Sequence, residues 1–186
     1  MTSAEIIAAF KSDIKKHIEF AEINFLNLTE KQFNWRVNPF QWSTGQCIQH
    51  INMVQWNWIK QFEKIIKSGI KNKNNHAELK NPTGGINFKI VKKRMLRKMK
   101  SPAKYKPHFN VYSKGCMTEF FELQNRIAIL SEKIEGFDFQ KNKIKPHVFS
   151  GLLVSLAESF SLINLHTGFN LDIAFQVKSH PLFPNG

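Results

Sequence analysis

The sequence predicts an all-α protein: an antiparallel four-helix bundle with a long crossover between its second and third helices. Three observations carry that expectation. Four stretches place apolar residues three and four apart, the period of a helix that buries one stripe. Ser/Thr-x-x-Glu/Gln boxes stand at the starts of the first two long stretches, where free backbone donors need partners. The connection between the second and third stretches is too long for a tight helix–helix turn, which points to a crossover.

The first helix is expected over residues 4–26. Ile7, Phe10, Ile14, Ile18, Ala21 and Phe25 form its stripe, and Thr2 with Glu5 forms its box. Thr29 and Gln32 repeat the device for a short helical turn. Asn38-Pro39 then breaks the chain, because proline crowds the helical conformation of the residue before it. The second helix starts at Ser43, with Gln46 completing its box, and turns Cys47, His50, Ile51, Val54, Trp58, Phe62 and Ile65 inward. It should end near Ser68-Gly69, where glycine allows a left-handed terminus. The third helix is placed over residues 117–135, with Phe120, Phe121, Gln124, Ile127, Ala128 and Ile134 facing in. The fourth runs over residues 150–177, with Leu152, Leu156, Phe160, Ile163, His166, Asn170 and Ala174 on its stripe. Residues 70–89, punctuated by Asn81-Pro82 and Gly84-Gly85, should be more mobile than any helix.

At 186 residues the chain is expected to be one domain, with 17 Phe to fill a core. It has no apolar run of the ~20 residues that span a bilayer. Glu5 and Asp13 in an amphipathic N-terminal stretch argue against a signal peptide. Cys47 and Cys116 lack a framework of partners, so free thiols in a cytoplasmic setting are the simpler reading. The net charge of +13 concentrates in residues 89–106, where Lys89, Lys92, Lys93, Arg94, Arg97, Lys98, Lys100, Lys104 and Lys106 meet no acid. Such a run can serve nucleic acid, anionic lipid or an anionic substrate, and a solvated connector is the simpler alternative. Nucleic acid is disfavoured, because only Tyr105 interleaves the cations and no recognition motif accompanies them.

Polarity on the inner stripes is the informative departure. His50 sits mid-stripe on the second helix, and His166 and Asn170 sit one turn apart on the fourth. If those helices face each other, three donors converge. Two neutral imidazoles and an amide oxygen could hold zinc, nickel or iron with an open position for water. A histidine on an apolar stripe is more often a hydrogen-bonded core residue. Cys47 could add a thiolate, although a small buried apolar side chain is its commoner role. His17 reads as a core or rim residue, and His76, His108, His147 and His180 fall in loops without ligand spacing. Phosphate loops, dinucleotide fingerprints, nucleophile elbows, His-Glu-x-x-His and paired carboxylates are all missing from the sequence.

Residues 25–54 read FLNLTEKQFNWRVNPFQWSTGQCIQHINMV, residues 93–107 KRMLRKMKSPAKYKP, and residues 151–184 GLLVSLAESFSLINLHTGFNLDIAFQVKSHPLFP. Together they resemble the DinB-like family, with Trp42-Ser43 followed by His50 as the most specific element. The resemblance implies a four-helix bundle, often dimeric. It also implies a divalent metal held by one His of the second helix and a His-x-x-x-His pair of the fourth. His50 and His166 match that pattern, and Asn170 stands where the third ligand belongs. Phe169 and Ile173 replace the Arg and Gln that the family tends to place nearby. These three departures imply a degenerate metal site. The functions implied are a divalent-metal-dependent hydrolase or thiol-dependent transferase. The alternative is a catalytically inactive bundle that binds a small molecule, a protein partner or a polyanion, without membrane insertion.

Overall fold

The structure is a computed structural model and describes residues 1–72, 79, 85–95, 103–108, 111–146 and 152–185. In chain order the elements are α1 (Ser3–Phe25), α2 (Glu30–Asn34), α3 (Thr44–Ser68), α4 (Ile86–Met95), a 3-10 turn (Ala103–Tyr105) and α5 (Gly115–Lys133). Then come β1 (Lys143–Ile144), β2 (Val154–Ser155) and α6 (Leu156–Lys178). The four long helices α1, α3, α5 and α6 form the expected all-α bundle.

Each start has a local cause. Thr2–Glu5, Thr29–Gln32 and Ser43–Gln46 all form reciprocal capping boxes, so side chains satisfy backbone donors that no helical turn can reach. A fourth box, Ser155–Glu158, opens α6. It corrects the expected start at Ser150: residues 147–151 lie outside the described residues, and Val154–Ser155 is extended and pairs antiparallel with Lys143–Ile144. The end of α3 also differs from expectation. Gly69 has φ −75° and ψ 164°, an extended conformation open to any residue. Glycine is needed there for close approach, since a Cβ would lie 2.6 Å from the Ile65 carbonyl oxygen and 2.9 Å from Asn142 Oδ1.

The helices pack as a square whose edges are α1–α6, α6–α3, α3–α5 and α5–α1. Thr44 meets Ala174, His50 meets His166 and Phe62 meets Phe160, so α3 and α6 run antiparallel. Phe10 meets Phe160, Asp13 meets Asn164 and Phe20 meets Phe175, so α1 and α6 run parallel. Asn52 bonds Glu119, and Glu63 bonds Arg126, so α3 and α5 are parallel as well. It follows that α5 and α1 are antiparallel. The antiparallel relation thus holds on two edges, and parallel packing on the other two accounts for the long connection. A chain leaving α3 must travel back along the bundle before α5 can start beside it.

The apolar core divides into two clusters. One contains Phe10, Val54, Trp58, Phe62, Phe139, Phe160 and Ile163; the other contains Phe25, Phe33, Cys47, Ile51, Phe120 and Leu171. Along α6 the first cluster ends at Ile163 and the second begins at Leu171. His166, Thr167 and Asn170 are buried in the gap between them. The expected inner stripes hold, with Ile18, Phe121, Ala128 and Leu152 only partly buried. In the crossover, residues 73–78, 80–84 and 96–102 lie outside the described residues, and with them the expected mobility, His76, Arg97, Lys98 and Lys100.

Candidate functional site

The site is built where α3 and α6 face each other in the gap between the clusters. Ser43 caps α3 two turns before His50 and so sets which face the imidazole takes. Ser155 does the same for α6, where His166 and Asn170 share a face by their four-residue spacing. His50 Nε2 and His166 Nε2 lie 3.0 Å apart. Asn170 Nδ2 is 3.2 Å from His166 Nε2 and 2.8 Å from the His166 carbonyl oxygen. The three residues expected to converge therefore do so, and all three are buried.

Proton placement follows from the partners. His50 Nδ1 lies 2.7 Å from the Tyr105 carbonyl oxygen, which can only accept. The Nδ1–H of His50 donates there, and Nε2 keeps its lone pair in the neutral ring. Burial pushes the His50 pKa down to about 4, and the Tyr105 hydrogen bond opposes that shift without overcoming it. His50 is neutral near pH 7. Because His50 Nε2 can only accept, the 3.0 Å contact takes its hydrogen from His166 Nε2. The Asn170 amide nitrogen carries two hydrogens; one donates to the His166 carbonyl at 2.8 Å, and the nitrogen lies 3.2 Å from the ring nitrogen. Trp42 packs on His50 with ring centroids 5.0 Å apart, closing the pair from the other side.

Other sequence candidates stay out of the cluster. Cys47 is buried in the second apolar cluster, and desolvation pushes its thiol up to about 12, so it carries no thiolate near neutrality. Cys116 lies in the same cluster with its thiol also raised to about 12, and the two form no disulfide. His17 is half-buried against α6, where a Cβ on Gly168 would lie 3.3 Å from its Nε2. Its pKa is lowered by burial, against the opposing pull of Asp13 and Asp172. His108 is exposed, His180 packs on Trp35, and His147 lies outside the described residues. Among the described residues no group of three His, Cys, Asp or Glu side chains could hold a metal ion.

The family profile described as the DinB superfamily matches residues 22–171, a stretch that includes His50, His166 and Asn170. The chain belongs to the DinB superfamily. No curated protein and no solved structure matches it. A divalent metal of the kind expected for a DinB-like bundle needs three donors with lone pairs directed at one point. Here the third position offers an amide whose nitrogen, bonded to the His166 carbonyl, lies 3.2 Å from the imidazole nitrogen. Turning the amide over would set two oxygens against each other at that carbonyl. The donor set therefore does not fit a three-ligand divalent site.

Two contributors to the site were missed in the sequence. The Tyr105 carbonyl is a backbone atom on the crossover, invisible to any side-chain pattern. Glu158 is a buried carboxylate that accepts from Ser155 N at 2.7 Å, Ser155 Oγ at 3.0 Å and Gly85 N at 3.0 Å. It ties the crossover to the start of the helix that carries His166. The Ser155-x-x-Glu158 spacing could have revealed its capping half.

Proposed function

We propose that this DinB-superfamily protein works without a tightly held divalent metal, as a bundle that binds a small polar molecule at the His50–His166–Asn170 cluster. The observation that carries this reading is the Asn170 amide, bonded through Nδ2 to the His166 carbonyl at 2.8 Å. It supplies a hydrogen-bond donor where a metal site would need a basic lone pair. Phe169 and Ile173 beside it add no polar support. A neutral imidazole pair and an amide suit recognition of a neutral or anionic polar group, because buried polar groups gain most from a matched partner.

A second reading keeps a divalent-metal-dependent hydrolase or thiol-dependent transferase. One observation favours it: the two Nε2 atoms converge while His50 Nδ1–H is anchored on a carbonyl, the arrangement that commonly orients histidine ligands. Metal analysis separates the two. The protein, produced in medium supplemented with zinc, nickel and iron, should carry well under one equivalent of any of them. One equivalent in the native protein, lost in both His50→Ala and His166→Ala, would overturn the metal-independent reading.

A further inference from the structure

Helix α4 carries isoleucine on the face where a surface helix ordinarily carries polar residues. Ile86 and Ile90, one turn apart, are 76% and 40% exposed. Lys89 and Lys93 lie on the same outward face, and Lys92 is exposed beside them. The opposite side is anchored. Phe88 is buried in the first apolar cluster, Asn87 Nδ2 donates to the Leu153 carbonyl at 2.8 Å, and Gly85 N donates to Glu158 at 3.0 Å. These contacts fix the helix's rotation, so the isoleucines face outward by construction. Leu153, whose carbonyl accepts from Asn87, is also half exposed. No acidic residue occurs anywhere between Glu78 and Glu119.

We propose that the outer face of α4 docks on an anionic membrane surface, with Ile86 and Ile90 entering the headgroup boundary and Lys89, Lys92 and Lys93 meeting lipid phosphates and carboxylates. Charge complementarity and exposed aliphatics together select this occupant. Nucleic acid would neutralise the lysines but leave the isoleucines wet, since single strands stack on aromatics and duplexes are read by polar side chains. A folded partner typically engages about 20–30 residues on each side, and α4 has ten. A bilayer surface accepts a short basic amphipathic helix without shape matching. No helix among the described residues is long and apolar enough to cross a membrane, so the contact is interfacial.

Co-sedimentation of the full chain with two vesicle types tests this: phosphatidylcholine alone, and phosphatidylcholine with about one-third phosphatidylserine. Binding to the anionic vesicles is expected, with little to the neutral ones, and should weaken as salt rises. Lys89→Glu with Lys93→Glu should lower the affinity by at least roughly tenfold, since each cation near such a surface is worth about fivefold. Ile86→Ser with Ile90→Ser should weaken binding comparably with only a small change in melting temperature, because Ile86 is 76% and Ile90 40% exposed. Equal binding to both vesicles, or none to the anionic ones, overturns the proposal. So does an isoleucine variant that binds as tightly as the native chain, which would make α4 a general polyanion surface. Duplex DNA that displaces the vesicles at equal phosphate concentration overturns it in the same way.

Discussion

Asn170→His tests the reasoning about the site most directly. The native amide lies 3.2 Å from His166 Nε2, and His166 Nε2 lies 3.0 Å from His50 Nε2. An imidazole at residue 170 would reach the same point and offer a basic lone pair. Without metal the change should destabilise, because the Asn170–His166 carbonyl bond is lost and a larger ring enters a buried position. Losing that bond costs about 1 kcal/mol, and overpacking adds roughly 1–3 kcal/mol. With zinc at a hundredfold its Kd, selective binding to the folded chain returns about 2.7 kcal/mol. For a chain of this length that corresponds to a rise of roughly 5–11 °C in melting temperature. Thermal melts of native and variant protein, each with zinc and with chelator, read this out. The variant should gain in zinc and the native chain should not. Equal gains in both would show that the native site already holds metal. A folded variant with no gain would show that the three positions do not form a coordination corner.

Phe160 packs against the rings of Phe10, Phe62 and Phe139 at 4.8–5.5 Å, so Phe160→Ala should cost about 3–5 kcal/mol in urea unfolding. A loss under about 1 kcal/mol would mean the clusters are not packed as described. Glu158→Ala leaves three donors without their acceptor and should cost about 1–3 kcal/mol; it should also raise amide exchange at Gly85 before the bundle melts. His50 titrates at about 4 when folded against an ordinary 6.5, so between those values the unfolded chain binds the extra proton. Its contribution is complete above pH 6.5 and is lost as pH falls through that window, up to about 3 kcal/mol. His17 shifts in the same direction, so the informative quantity is the difference from His50→Gln. Identical stability slopes in the two proteins between pH 6.5 and 4 would contradict the burial argument.

The helices were legible because their causes are local. Phe10, Ile14, Phe62 and Phe160 repeat at helical spacing, and Thr2, Thr29 and Ser43 announce their caps within four residues. Helix direction was not legible, because nothing near Phe10 or Asn52 states which end of a partner it will meet. The β1–β2 ladder is too short to leave an alternating pattern, and it displaced the expected start of α6. The site was half legible. Spacing placed His166 and Asn170 on one face, and the stripes turned His50 toward them. The amide's orientation depends on the carbonyl one turn back, and the imidazole's on Tyr105 in the crossover. Backbone acceptors reached by tertiary packing leave no trace in a side-chain pattern.

That dependence on backbone also sets how the two imidazoles and the amide are held. Because α3 and α5 run parallel, the connecting chain must return along the bundle, and its 3-10 turn packs on α3 with Tyr105 buried. The His50 ring is thereby oriented by topology, whatever occupies residue 170. The Asn170 amide is oriented by its own helix, through the His166 carbonyl. Neither anchor belongs to a side chain that a substitution at residue 170 would remove from the scaffold. The fold can present two aligned imidazoles and then accept an amide or a third imidazole beside them without rebuilding the bundle. Membership of the superfamily accordingly goes with the scaffold, and under the proposed function the donor at residue 170 is what would select between metal binding and hydrogen-bonded recognition.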